Sequence, residues 1–150
     1  MMRISLFASL ALLAWSLSLP AAAVEFRSVS ADKAILYDAP SVQAEKLYIL
    51  TSSYPVEVIV NLGEWIKVRD QYGSLSWIQG KLLAPTRTVL VKTDDVQIKQ
   101  KAAEDAPVLA NLKKDVVLEL VSTTPQNGWV QVKHKDGITG YVLISSLWGI

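Results

Sequence analysis

Gly128-Trp129-Val130-Gln131-Val132-Lys133-His134-Lys135-Asp136-Gly137-Ile138-Thr139-Gly140-Tyr141-Val142 reads as two strands joined by a tight turn. Trp129, Gln131 and Lys133 alternate with Val130 and Val132, the period of a half-buried strand. Asp136-Gly137 is a dipeptide that hairpin turns favour, because these turns need positive φ. The same beat occurs earlier in the chain. On a shift of 64 residues, Trp65-Ile66-Lys67-Val68 lands on Trp129-Val130-Gln131-Val132, and Gly73 on Gly137. Trp77-Ile78 lands on Tyr141-Val142 and Leu83 on Leu147.

Farther upstream the shift becomes 62. There Val29 meets Val91, Asp32 meets Asp94, Leu47 meets Leu109, Leu50 meets Leu112 and Glu57 meets Glu119. The change of register falls between Val60 and Trp65, where Asn61-Leu62-Gly63-Glu64 faces the longer Ser122 to Gly128. Both stretches are turn-rich, and a turn tolerates a length difference. The chain is therefore two copies of one unit, residues 25–84 and 87–150, with Ala84-Pro85-Thr86 as a short seam. Val56, Val58 and Val60 alternate with Glu57 and Ile59, and Val116 to Val121 is rich in β-formers. Beyond Ala23 no window sustains a helical stripe; Ser41 to Leu50 comes nearest and reads equally well as a loop and a short strand. The expected fold class is all-β, two tandem small barrels, with no helix longer than about two turns.

Met1 to Ala23 reads as a secretory leader. Arg3 supplies the positive end, Ile4 to Leu19 the apolar run, and Ala21-Ala22-Ala23 the small residues of a cleavage site after Ala23. The competing reading is an uncleaved anchor, for which the apolar run is somewhat short. The expected location is periplasmic or secreted, with no stable membrane anchor after cleavage. Arg3 is the only charge before Glu25, so 14 of the 15 basic side chains remain beyond it, against 14 acidic ones. A neutral balance argues against nucleic acid as a partner. There is no cysteine, hence no disulfide, thiol nucleophile or thiolate-bound metal. Units of about 60 residues without disulfides lie near the lower limit of independent stability, so the copies are expected to pack on each other or on a partner.

The second half of each copy resembles the bacterial SH3-like domain. That family has Gly-Trp opening a strand, a Val three residues on, a glycine turn, then Gly-Trp or Gly-Tyr before Val or Ile. Gly128-Trp129 through Val132 and Gly140-Tyr141-Val142 follow this pattern. In the first copy Glu64 and Ser76 stand where the family prefers glycine. Ala34 to Pro40 keeps the apolar beat and the proline of the family's front half, and Val96 to Lys99 keeps less. The resemblance implies small barrels, often found beside wall hydrolases or as tandem exported modules, several of which bind cell-wall peptides.

Nothing in the residues assembles a catalytic site, a cofactor site or a metal site. His134 is the only histidine, and between Lys133 and Lys135 it is expected to be solvated. Asp94-Asp95 and Glu104-Asp105 lack the spacing of a calcium loop. Ser52-Ser53 and Ser145-Ser146 lack a nucleophile elbow. The aromatics are more informative. Trp65 and Trp129 open central strands and are expected to pack. Tyr37, Tyr54, Tyr72 and Trp77 sit at strand ends or turns, where they are expected to line a peptide groove. The alternative is that Trp77 completes the core and the tyrosines are surface bystanders. Around the three tyrosine positions the second copy has Lys99, Glu119 and Asp136, which marks the first copy as the binder. The function expected is a non-catalytic binding module for a cell-wall peptide or an envelope protein; the rival is a structural or assembly protein of the envelope. A hydrolase is the weakest reading.

Overall fold

The computed structural model describes residues 23–150, so the leader read at 1–23 lies, but for Ala23, outside the described residues. The first copy contains β1 (Glu25–Val29), β2 (Lys33–Tyr37), β3 (Lys46–Thr51), β4 (Pro55–Asn61), β5 (Trp65–Arg69), β6 (Leu75–Gln79) and β7 (Leu83–Ala84). The second contains β8 (Thr88–Val91), β9 (Val96–Lys99), β10 (Val108–Leu112), β11 (Val117–Leu120), β12 (Trp129–Lys133), β13 (Thr139–Leu143) and β14 (Leu147–Trp148). A single 3-10 turn precedes the last strand of each, at Gly80–Leu82 and Ile144–Ser146. The ambiguous stretch from Ser41 resolves into turns followed by β3.

Each copy forms one antiparallel seven-stranded sheet. The strand orders, β3-β2-β6-β5-β4-β1-β7 and β10-β9-β13-β12-β11-β8-β14, are the same order twice. One face of the first sheet gathers Val29, Leu36, Val56, Ile66, Val68 and Ile78. The second gathers Val91, Ile98, Leu118, Val130, Val132 and Val142 in the same way. With no second sheet to cover that face, each sheet has to curl around its own core, which makes it a small barrel. Gly73 and Gly137 turn the hairpins at φ +86° and +91°, which glycine adopts without a steric cost. The alternation expected through Val60 fails at the end of β4. The register with β5 shifts between Val58 and Val60, and both Ile59 and Val60 end up exposed.

The copies pack on each other through the outer face of the second sheet. Leu90 pairs with Val117 and Trp148, and Thr88 with Glu119, so these five share a face. Leu90 is fully buried yet belongs to neither core, because the first copy covers it. Phe26 meets Trp148 edge to face at 5.2 Å between ring centroids. The Thr88 hydroxyl donates to the Ser53 carbonyl at 2.7 Å, and Gln71 Nε2 donates to Asp115 Oδ1 at 2.8 Å. Arg87, the first residue of the second copy, lies over the Phe26 ring and donates from Nη2 to the Gly149 carbonyl at 2.8 Å.

Candidate functional site

Strand alternation divides β5 cleanly. Ile66 and Val68 enter the core, while Trp65, Lys67 and Arg69 face outward. Trp65 is nevertheless only 9% exposed. Tyr37 covers it, edge to face, with ring centroids 5.4 Å apart. Tyr37 is the register partner of Trp77, and Trp77 of Lys67, so all four side chains lie on the outer face. Lys67 Nζ stands 5.9 Å from the Trp77 ring centroid, a cation over an aromatic face. Two expectations change. Tyr37 does not line a groove: it is 7% exposed, held in the stack with Trp65. Nor does Trp77 complete the core, since Ser76 and Ile78 on either side of it point inward while it stays half-buried outside.

The other two tyrosines lie around Asp70. This buried carboxylate accepts the Tyr72 and Ser74 backbone N–H groups, fixing the hairpin tip, and accepts the Tyr48 hydroxyl at 3.2 Å. Ser76 Oγ lies 3.1 Å from the same hydroxyl. Tyr54 packs against the core from one side. Burial, and then the nearby Asp70 charge, pushes its phenol up to about 12. Tyr72 is 68% exposed, with Lys114 of the second copy over its ring. The four residues singled out from sequence thus form two pairs. Tyr37 and Trp77 are strand partners, while Tyr54 and Tyr72 flank Asp70 and Gln71. None of the four lines any of the three cavities described for the chain.

The second copy keeps the strand geometry and changes the chemistry. Lys99 occupies the Tyr37 place and pairs with Tyr141. It is buried, and its Nζ donates to the Glu104 carbonyl at 2.9 Å. A cavity of about 220 Å³ opens there, between Lys99, Trp129 and Asp94.

A larger cavity, about 620 Å³, lies between the copies. Ser52 and Ser53 line it from the first copy, and Thr86 from the seam. Val117 and Glu119 of β11, Lys133 at the end of β12, and His134 and Lys135 beyond it line it from the second. The expectation of a solvated His134 is therefore corrected: its side chain is 16% exposed, in the cleft wall, with Nδ1 3.2 Å from the Asp136 carboxylate. Sequence reasoning missed this cleft because its two walls belong to different copies. The repeat itself carries one signal, however. Ser53 and Asp115 occupy the same place in the two copies and share the same positive φ, 68° and 67°, rare for residues with a side chain. Both line the cleft. Among the described residues no three His, Cys, Asp or Glu side chains gather as a metal site would require.

Two antiparallel sheets of identical strand order, each curled on its own core with a 3-10 turn before its last strand, define tandem SH3-like barrels. The family model for the bacterial SH3 domain matches residues 30–85 and again 92–149, and the chain belongs to that family. No curated protein matches the sequence. Among solved structures, NlpC2 from Trichomonas vaginalis is similar at 14% identity, over 83% of this chain and 48% of that one, with a TM-score of 0.38. NlpC1 from the same organism is similar at 15% identity, over 87% and 47%, with a TM-score of 0.39. An NlpC/P60 family protein from Bacillus cereus is similar at 13% identity, over 83% and 56%, with a TM-score of 0.37. The chain spans about half the length of these proteins.

Proposed function

We propose that the chain is an exported, non-catalytic binding module, periplasmic or secreted after cleavage behind Ala23, that holds a cell-wall peptide or an envelope protein. Its units are the copies at 25–84 and 87–150. The observation that carries this reading is the pair of accessible aromatics on the first copy. Trp77 presents its ring on the outer face beneath Lys67, beside the exposed Leu75, and Tyr72 stands exposed at the hairpin tip with Lys114 over its ring. Rings with polar tips and a neighbouring cation are what an extended peptide uses for contact. The second copy offers Tyr141, Gln131 and Asp136 at these places and gives its outer face to holding the first. Membership of a family of binding modules supports the same assignment. Neither nucleic acid nor a membrane surface suits the balanced charge.

A structural or assembly role is the second reading, favoured by the extent to which the second copy is occupied with the first. Wall retention distinguishes them. Purified cell-wall material is expected to retain the parent, and Trp77→Ala and Tyr72→Ala to weaken retention by about 2 kcal/mol each while both variants stay folded. If the parent is not retained, or if both variants are retained like the parent, the first copy does not bind through these rings.

A further inference from the structure

The cleft between the copies contains more than the seam needs. Four ion pairs are formed among the described residues, and neither Lys133 nor Lys135 takes part in any of them. Both residues line the cleft. Between them His134 turns Nδ1 toward Asp136, accepting that residue's backbone N–H at 3.3 Å. The same nitrogen lies 3.2 Å from the Asp136 carboxylate, so the ring is anchored on that residue. The hydroxyls of Ser52, Ser53 and Thr86 add further donors, whereas that of Thr88 is committed to the Ser53 carbonyl. The acceptors are fewer. The lining carries two carboxylates, Asp115, which already receives Gln71, and Glu119. Val116 and Val117 give the cleft an apolar wall. A donor-rich recess of this size beside an apolar surface suits a short chain that ends in a carboxylate.

We propose that this cleft captures the terminal carboxylate of a short peptide, with Lys133 and Lys135 as its charged partners and the His134 ring beside them. The inference rests on the proposed binding role and adds to it the end of the ligand that is recognised. The cleft is also continuous with the exposed tyrosine. Asp115 on its wall is bonded to Gln71, the residue before Tyr72, and Lys114 lies over the Tyr72 ring. A peptide with its carboxylate in the cleft can therefore leave past the first copy's hairpin tip. The Ser53 and Asp115 turns, both at positive φ, form part of the mouth.

Acetylated tri-alanine with a free C-terminus, and its C-terminal amide, separate the possibilities by NMR titration of the whole protein up to about 10 mM, where weak single contacts are still seen. The acid is expected to shift the amide signals of His134, Lys135 and Ser53, and the amide form to do so about tenfold more weakly. Lys133→Gln with Lys135→Gln is expected to bring binding of the acid down to the level of the amide. His134→Gln, which keeps a side-chain donor, is expected to lose less. Equal binding of acid and amide, no binding of the acid, or an unaffected double variant overturns the cleft assignment. Wall retention is read in parallel. If it falls with Tyr72→Ala and Trp77→Ala while the cleft variants behave as the parent, the cleft assignment is wrong and the binding role stands. If the parent is not retained at all, the binding role fails independently of the peptide result.

Discussion

Tyr37 and Trp65 meet edge to face, their planes at 87°, on the side of the first sheet that faces away from its core. This contact closes the outer face over a tryptophan that strand alternation alone would leave in water. Tyr37→Ala removes the cover and exposes the Trp65 ring. A loss of about 3 kcal/mol in unfolding free energy is expected, the usual scale for truncating a nearly buried aromatic. Tyr37→Phe keeps the ring and is expected to keep most of the stability. Urea unfolding followed by tryptophan fluorescence gives both values, and an unchanged midpoint for Tyr37→Ala would show that the stack contributes nothing.

The departure of Ser76 from the family's glycine has a partner. Ser76, Tyr48 and Asp70 form a bonded polar trio, and their places in the second copy hold Gly140, Ala110 and His134. All three positions change together. Tyr48→Phe is expected to cost about 1 kcal/mol through the bonds lost at the buried carboxylate. Ser76→Gly restores the family residue and is expected to destabilise as well, because it leaves Tyr48 with one partner and adds backbone freedom. Stability equal to the parent in both variants would mean the trio is incidental.

The Tyr54 phenol, pushed up to about 12 by burial and then by the Asp70 charge, gives the fold an alkaline limit. Its raised folded value means that the native state holds the proton longer than the unfolded chain does. Stability from this group is complete below the ordinary phenol value near 10 and is lost as pH rises toward about 12. Tyr48 shifts in the same direction, chiefly through burial. Urea midpoints taken between about pH 9 and pH 12 are expected to fall less steeply in Tyr54→Phe than in the parent. Parallel curves would remove Tyr54 as the source.

Arg87, the first residue of the second copy, joins the two copies. Its guanidinium lies over Phe26 of the first copy and donates to the Gly149 carbonyl of the second. Nε is buried without a partner, which offsets part of the gain. Arg87→Ala is expected to cost about 1 to 2 kcal/mol. In calorimetry the single transition of the parent is expected to broaden or divide as the copies lose their coupling. A variant with one sharp transition at the parent's temperature would place the coupling elsewhere, at Thr88 or Leu90.

The repeat, the strand pattern and the inward residues were legible in the sequence, because they depend on local features. Alternation of period two assigns Ile66 and Val68 to one face and Trp65 and Lys67 to the other, and Asp136-Gly137 marks a turn from its own φ requirement. Which face of a strand a residue takes is decided by its neighbours in the chain. Whether that face stays in water is decided by segments far away. Tyr37 reaches Trp65 only because β2 pairs with β6, and that pairing puts it beside Trp77, forty positions on. His134 read as a solvated residue between two lysines, and became part of a wall because the Ser52-Ser53 turn of the other copy lies across from it. The outer surfaces, and with them the stack, the exposed ring of Tyr72 and the cleft, are products of contacts between distant segments. A local period carries no information about which distant segment will arrive, so only the tertiary structure could settle those features.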